Sequence, residues 1–327
     1  MSAPRVVSRE ALTQALDYPR LIDEIAEGFI AYSAGRVVVP PVGHLGFRDP
    51  PGDVHIKYGY VRGDDVYVIK VASGFEENAL AGLPPGDGLM LVFGRQTGTL
   101  RAVLLDGGWL TDVRTAAAGA VVARALAPRT VERIGVIGTG VQARLQLEFL
   151  SYATPCREVM VYGRTPAHTE RFVQDMAARG FHMTSAASPD ALAAACNLIV
   201  TATTAKAPLF RADEVRAGTH VSAFGADAPG KQELDVELFR RADCVVADSR
   251  SQTTHHGELA HALAAGTVSS AAVRELGEVL ADPSLGRTSD AQITLADLTG
   301  VAVQDIVVAK HVLAGIAAPA IMEGSTA

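Results

Sequence analysis

The stretch 132–150, "ERIGVIGTGVQARLQLEFL", sets a short apolar strand, a glycine turn and a helix end to end, the order of a βα unit. In such a turn Gly138 makes the tight bend, Gly140 lets the backbone approach a pyrophosphate, and the small Ala143 lets helix and strand pack closely. Thr139, Val141 and Gln142 complete it. A bare Gly-x-Gly-x-x-Ala is weak evidence, and a tight turn without ligand is the alternative reading. Here, however, the turn heads a region where apolar segments alternate with helical or loop-like sequence: 134–137, 158–162, 198–201, 220–224 and 244–247. That texture predicts a parallel sheet covered on both faces, with a dinucleotide at the glycine turn.

After the second of these strands an NAD-preferring site usually carries an acidic residue for the ribose 2′-hydroxyl. This chain has Gly163, Arg164 and Thr165. With no carboxylate to repel a 2′-phosphate and a guanidinium to bind it, NADP(H) is expected over NAD(H). Arg164 as a solvated residue, or stacked on adenine, is the alternative. Thr201 and Thr203, in "TATTAKAPLF" after another strand, are candidates to line the nicotinamide ribose, although threonines also cap turns.

The first third reads differently. Asp17 can cap a helix in which Leu21, Ile25 and Phe29 recur at helical spacing and Gly35 supplies the stop. Two hairpins follow, "HIKYGYVRGDDVYVIKVASGF" and "GLMLVFGRQTGTLRAVLLDGG", so a helix is expected on a mostly antiparallel sheet. Lys70 sits among Val68, Ile69, Val71 and Ala72, which offer its ammonium nothing to pair with. A desolvated ammonium has its pKa lowered and can trade protons near neutrality. A strand-edge lysine reaching water is the plain alternative. From Thr111 a helix is expected to end at Pro128, and the closing "GVAVQDIVVAKHVLAGIAAPAIM" reads as an apolar helix returning to the first sheet.

The 327 residues, 48% of them hydrophobic, suffice for two domains. We expect an α/β protein: a Rossmann-type doubly wound parallel sheet over 114–303, and an α+β substrate-binding and dimerisation domain from 1–113 plus 304–327. The net charge of −7, without a basic stripe, argues against nucleic acid. No apolar run reaches the ~18 residues of a membrane span, and the first residues carry no signal-peptide core. A cytoplasmic protein is the expectation. Cys156, Cys196 and Cys244 are read as reduced. His255, His256, Glu258 and His261 are read as a polar helix start rather than a metal site, and no metal is expected.

The motifs "VIKVASGF", "GLMLVFGRQTGTLRAVLLDGGWLTDVRTAAAGAVVARALAP", "IGVIGTGVQA", "GADAPGKQELD" and "TGVAVQDIVVAK" follow one another over nearly the whole chain. In that order the sequence resembles the ornithine cyclodeaminase/mu-crystallin family, with its archaeal-type alanine dehydrogenases and ketimine and imine reductases. The resemblance implies a homodimer with the active site between its domains. It also implies hydride transfer at the C–N bond of a small amino acid or cyclic imine: conversion of L-ornithine to L-proline and ammonia, or imine reduction, or amino-acid dehydrogenation. A nonenzymatic NADPH and small-acid binder of mu-crystallin type is the alternative from another class. By the resemblance Lys70 and Asp227 are catalytic, Arg114 grips the substrate carboxylate, and Thr115 and Gly300 join the cofactor contacts. Asp227 as a turn residue and Arg114 as a helix-surface residue stay open. One departure stands out: a Pro-x-Arg element of the family is here Pro41-Val42-Gly43, while Lys57 occupies the next strand. Lys57 is expected to replace the missing arginine at the carboxylate, unless it points to solvent.

Overall fold

The computed structural model describes residues 3–84 and 86–316. Its first sheet contains β1 (Arg5–Ser8), β2 (Val37–Val38), β3 (Gly43–Arg48), β4 (Pro51–Val61), β5 (Val66–Gly74), β6 (Gly86–Gly94) and β7 (Leu100–Leu105). They run in the order β1-β7-β6-β5-β4-β2, with β3 also on β4, and every pairing but β1 with β7 is antiparallel. The expected lysine hairpin is β4–β5, its turn eased by Gly63 at φ +95°. Its register sets Lys57 directly opposite Lys70, so both side chains leave the same face of the sheet.

The second sheet holds β8 (Ile134–Ile137), β9 (Glu158–Tyr162), β10 (His182–Ser185), β11 (Leu198–Thr201), β12 (His220–Ala223), β13 (Cys244–Ala247), β14 (Val273–Glu275) and β15 (Thr294–Asp297). All pairs are parallel, in the order β10-β9-β8-β11-β12-β15-β13-β14. The strand order reverses between β8 and β11, and at such a switch point a crevice opens beyond the carboxyl ends. The five expected strands are present, the fourth ending one residue early at Ala223. Three were not anticipated. β10 is a polar edge strand and β14 has three residues, so neither makes an apolar run; β15 is fully buried but spells "TLAD".

Two helices join the sheets. Asp17 caps the Tyr18–Ser33 helix by accepting from the Arg20 N–H, and Ala302–Gly315 crosses it at Gly28, where a Cβ would lie 2.9 Å from Val307. Ala302–Gly315 also packs on β4 and β5, which is the return to the first sheet that its apolar sequence suggested. The expected boundaries at 113/114 and 303/304 fall inside the helices Trp109–Leu126 and Ala302–Gly315, so the chain changes sheets within helices. The segment beyond residue 316 lies outside the described residues. One apolar core spans the first sheet, these helices and one face of the parallel sheet; a second covers the opposite face.

Trp109–Leu126 is fastened to the helix Val141–Leu150. Gln142 Nε2 donates to Asp112 O and Oδ1, Gln146 Nε2 donates to Thr115 O, and at Gly119 a Cβ would strike the Gln146 side chain. This contact fixes Arg114, on the first helix, relative to the glycine turn that opens the second.

Candidate active site

A cleft of about 610 Å³ opens between the first sheet and the carboxyl ends of the parallel strands. β4 and β5 supply Lys57 and Lys70, the Trp109–Leu126 helix supplies Arg114 and Thr115, the loop after β12 supplies Asp227, and the segment after β15 supplies Thr299 and Gly300. Residues far apart in sequence thus face one space.

Lys70 is 3% exposed, and burial lowers its ammonium to about 7, with Asp305 opposing the fall and Arg114 and Lys57 adding to it. Its strand neighbours offer the ammonium no partner, and Lys70 Nζ lies 3.3 Å from Asp305 Oδ1. The partner comes from the returning helix, some 235 residues along the chain, beyond any reading of neighbours. A signal was present, since Asp305 is the one acid between Gly300 and Lys310 in an otherwise apolar helix.

Arg114 is buried rather than on a helix surface. Its Nε lies 3.0 Å from Asp305 Oδ1, and its Nη1 donates to Gln304 Oε1. Lys57 is also buried, not turned to solvent, and its Nζ donates to Thr299 O (3.1 Å) and Gly300 O (2.6 Å). Burial and then Arg114 lower its pKa, against the pull of Asp305, Asp227 and Asp248. Gly300, at φ +80°, lets this crowd form: a Cβ there would lie 2.7 Å from Arg114 Nη1. Gly300, expected at the cofactor, lines the cleft and sits against the cations. Asp248, unanticipated, steadies it by accepting from the Gly300 N–H at 2.6 Å.

Asp227 faces the cleft with half its side chain exposed, and Lys231 Nζ donates to it at 2.6 Å. Burial works to raise this carboxyl, but Lys231 beside it, with Lys57 and His55 further off, holds it below the usual carboxylate range. It is a standing negative charge at neutral pH. His55 and Asp53 also line the cleft, with His55 Nε2 3.4 Å from Asp53 Oδ2.

The glycine turn fits a dinucleotide. Gly138 has φ +120°, and a Cβ there would lie 2.5 Å from Ala202 O, across the switch point on β11's side. At Gly140 a Cβ would meet nothing within 4 Å, so the backbone is open to a ligand where a pyrophosphate would approach. Ala143 is fully buried, as close packing of helix on strand requires. A Cβ at Gly163 would meet Thr139 Cγ2 at 2.6 Å, which holds the turn after β9 against the glycine turn; Arg164 and Thr165 follow it, exposed. Val141 is exposed, and Gln142 lines the cleft while bonded to Asp112. Thr115 lines it too, its hydroxyl donating to Thr111 O at 2.8 Å.

Thr201 is a correction. It is wholly buried and its hydroxyl donates to Glu233 Oε2 at 2.7 Å, so it braces the switch-point loop and does not line a ribose. Thr203, part-buried, donates to the other oxygen, Glu233 Oε1, which also takes the Thr203 N–H. Glu233 in turn rests on Glu258, whose carboxylate accepts from the Glu233 and Leu234 N–H groups. Of the other residues in the histidine-rich stretch, His261 is bonded to Lys231 O and His255 to Ser251 O, while His256 is lowered by burial.

The ornithine cyclodeaminase/mu-crystallin family model matches residues 3–318. This chain belongs to that family. It is 42% identical over 275 residues to the uncharacterized cyclodeaminase y4tK of Sinorhizobium fredii, covering 84% of this chain and 83% of that one. It is 35% identical over 309 residues to alanine dehydrogenase of Archaeoglobus fulgidus, covering 94% and 93%. Among solved structures it is similar to an archaeal alanine dehydrogenase dimer with bound NAD (TM-score 0.88, 32% identity, 95% of each chain). It is also similar to the iminosuccinate reductase of Paracoccus denitrificans with NAD+ (TM-score 0.88, 30% identity, 95% and 96%). The chain is thus of the family's nicotinamide-dependent oxidoreductase and cyclodeaminase type.

Gly43 pairs with Ile56, whose side chain is exposed, so a side chain at position 43 would share that outward face and not the face of Lys57. The expected replacement of an arginine at position 43 by Lys57 therefore moves the cation from one face of the sheet to the other.

Proposed function

We propose that this chain is an NAD(P)-dependent enzyme that transfers a hydride at the Cα–N bond of a small amino acid or its imine. The observation that carries the reading is the convergence of Lys57, Lys70 and Arg114 on one wall of the cleft with ionised Asp227 on the other. A nicotinamide nucleotide held at the glycine turn of Gly138 and Gly140 would supply or take the hydride at Cα. Arg114 and Lys57 present donors to the substrate carboxylate, which fixes the amino-acid end. Lys70, near pKa 7, gives a proton to the nitrogen in the reductive direction and takes one in the oxidative direction. The Asp227 carboxylate stabilises the cationic imine. Burial of Lys70 and Arg114 keeps water from these contacts and strengthens them.

Of the finer readings, imine reduction or amino-acid dehydrogenation is supported by the alanine dehydrogenase and iminosuccinate reductase relatives, and cyclodeamination, of which ornithine is one candidate substrate, by the name of y4tK. We place the first ahead. A panel of L-ornithine, L-lysine, L-alanine, pyruvate with ammonia, and cyclic ketimines, followed with both NADH and NADPH, separates them. Steady cofactor oxidation marks a reductase; ammonia release without net cofactor change marks a cyclodeaminase; no turnover with any of them sinks the reading.

For the cofactor, exposed Arg164 and Thr165 after β9 support NADPH, while the NAD in the two solved relatives supports NADH. We keep NADPH ahead. Arg164→Ala is expected to weaken NADPH by about 1–2 kcal/mol and leave NADH unchanged, as loss of a charge-assisted hydrogen bond would. Equal loss for both would refute a 2′-phosphate contact. For Lys57, Lys57→Met is expected to raise KM about tenfold, near 1.4 kcal/mol, with little change in kcat, because the contact is equal in ground and transition states. An unchanged KM would leave Arg114 as the carboxylate anchor. A homodimer is proposed as well: Leu45, Phe47, Ile56 and Tyr58 form an exposed apolar face on β3 and β4. Sedimentation at the mass of a single 34.2 kDa chain would remove it.

A further inference from the structure

We propose that Asp305 is a positioning residue for this reaction: one buried carboxylate that holds the Lys70 ammonium and the Arg114 guanidinium side by side and balances their charge. The inference deepens the functional reading above and rests on it for the role of Lys70.

Asp305 is 1% exposed, and its single Oδ1 lies 3.3 Å from Lys70 Nζ and 3.0 Å from Arg114 Nε. One oxygen therefore links a strand of the first sheet to the helix that is fastened to the glycine turn. The contacts are ionic more than directional: among the described residues, neither Asp305 oxygen nor Arg114 Nε has a well-aligned hydrogen-bond partner. The placement follows from the fold. Asp305 stands in the first turn of Ala302–Gly315, which lies on β4 and β5, and the preceding Gln304 accepts from Arg114 Nη1. Asp248 holds the approach to that helix through the Gly300 N–H, and Lys57 holds it through the Thr299 and Gly300 carbonyls.

The charges around Asp305 decide what it does. Lys57 and Lys70 face it from the first sheet and Arg114 from the Trp109–Leu126 helix. Asp106 and Asp112, near the start of that helix, act on Lys70 from further away, as Asp227 and Asp248 act on Lys57. Two buried cations adjoin this one carboxylate, and Lys57 acts on it from further off. Asp305 favours the protonated form of Lys70, whereas Arg114 and Lys57 disfavour it. Asp305 is thus the group that keeps a buried lysine able to hold a proton next to an arginine. The positive charge it leaves unbalanced is available to a substrate carboxylate.

The test compares the full-length protein with Asp305→Asn, which keeps the shape and removes the charge. The ionisation of Lys70 is read twice: as the limb of the kcat/KM–pH profile that Lys70→Met abolishes, and without turnover as the lysine side-chain NMR titration that Lys70→Met removes. Asp305→Asn is expected to move both down by about one pH unit or more, the scale for losing an opposite charge at this distance, with the cofactor Kd unchanged. Asp305→Glu, which keeps the charge and displaces it, is expected to lower kcat/KM while leaving the limb near its wild-type position. Activity lost with neither reading moved would show Asp305 to be structural only and overturn the proposal. Should Asp305→Asn not fold, Arg114→Gln carries the test: with Asp305 serving Lys70 alone, the Lys70 titration is expected to rise, and no rise would overturn the shared counter-charge. Absence of hydride transfer in the wild type sinks the functional reading instead, and the NMR titration still decides the role of Asp305.

Discussion

Lys70→Met is expected to lower kcat by ~10²-fold or more while the cofactor Kd stays at the wild-type value, the usual scale for losing a general acid–base group. Lys70 leaves β5 on the cleft face, opposite Lys57 in register, and of its neighbours on that face Val66 and Val68 are buried and Ala72 half-buried, all three apolar. Methionine is close to the length of the lysine stem, so the stem's packing is kept while the ammonium beside Asp305 is lost. The sign of the pH dependence follows from the group's pKa of about 7. Reduction of an imine needs Lys70 protonated, so its rate is expected to fall as pH rises through 7. Oxidation of the amine needs it neutral, so the opposite reaction is expected to rise over the same interval. In Lys70→Met both limbs should vanish. Asp227→Asn is expected to fall on the same scale of rate, since a neutral amide cannot balance a cationic imine. Normal turnover in either variant would remove that residue from the mechanism.

What the sequence made legible, and what it did not, divides by range. β8, β9, β11 and β13 read directly because buried parallel strands are short apolar runs, and the Tyr18–Ser33 helix reads because Asp17 is the cap its geometry requires. Lys70 was visible as a charge in apolar surroundings, and Arg114 through the family resemblance. Their shared partner was not, because Asp305 meets them only after the chain has completed the parallel sheet and returned. The same holds for Glu233: Thr201 and Thr203 look like ligand-facing hydroxyls until a carboxylate from the loop after β12 is seen to occupy both. Local pattern reports which face a residue takes; it carries no information on which distant group arrives at that face.

The two turn glycines are expected to fail in different ways, and the contrast tests the nucleotide site without relying on turnover. At Gly138 the backbone lies at φ +120°, and an added Cβ would stand 2.5 Å from the carbonyl oxygen of Ala202. That neighbour is backbone at the end of β11 and cannot rotate away, so Gly138→Ala is expected to destabilise the fold by about 1–3 kcal/mol or more and to lower Tm. At Gly140 an added Cβ meets nothing within 4 Å, and φ is −77°, which any residue adopts. Gly140→Ala is therefore expected to keep the wild-type Tm. Its methyl group would nonetheless occupy the space through which the backbone and the N-terminus of Val141–Leu150 approach a pyrophosphate. Overpacking by one methyl costs about 1–3 kcal/mol, so nucleotide affinity is expected to fall roughly 5- to 150-fold for NADH and NADPH alike. Equal loss for both distinguishes it from Arg164→Ala, which acts on the 2′-phosphate alone. Fluorescence titration with each nucleotide, beside a thermal melt, reads all three variants. Wild-type affinity in Gly140→Ala would mean that the pyrophosphate does not lie on this turn, whatever the order of strands around it.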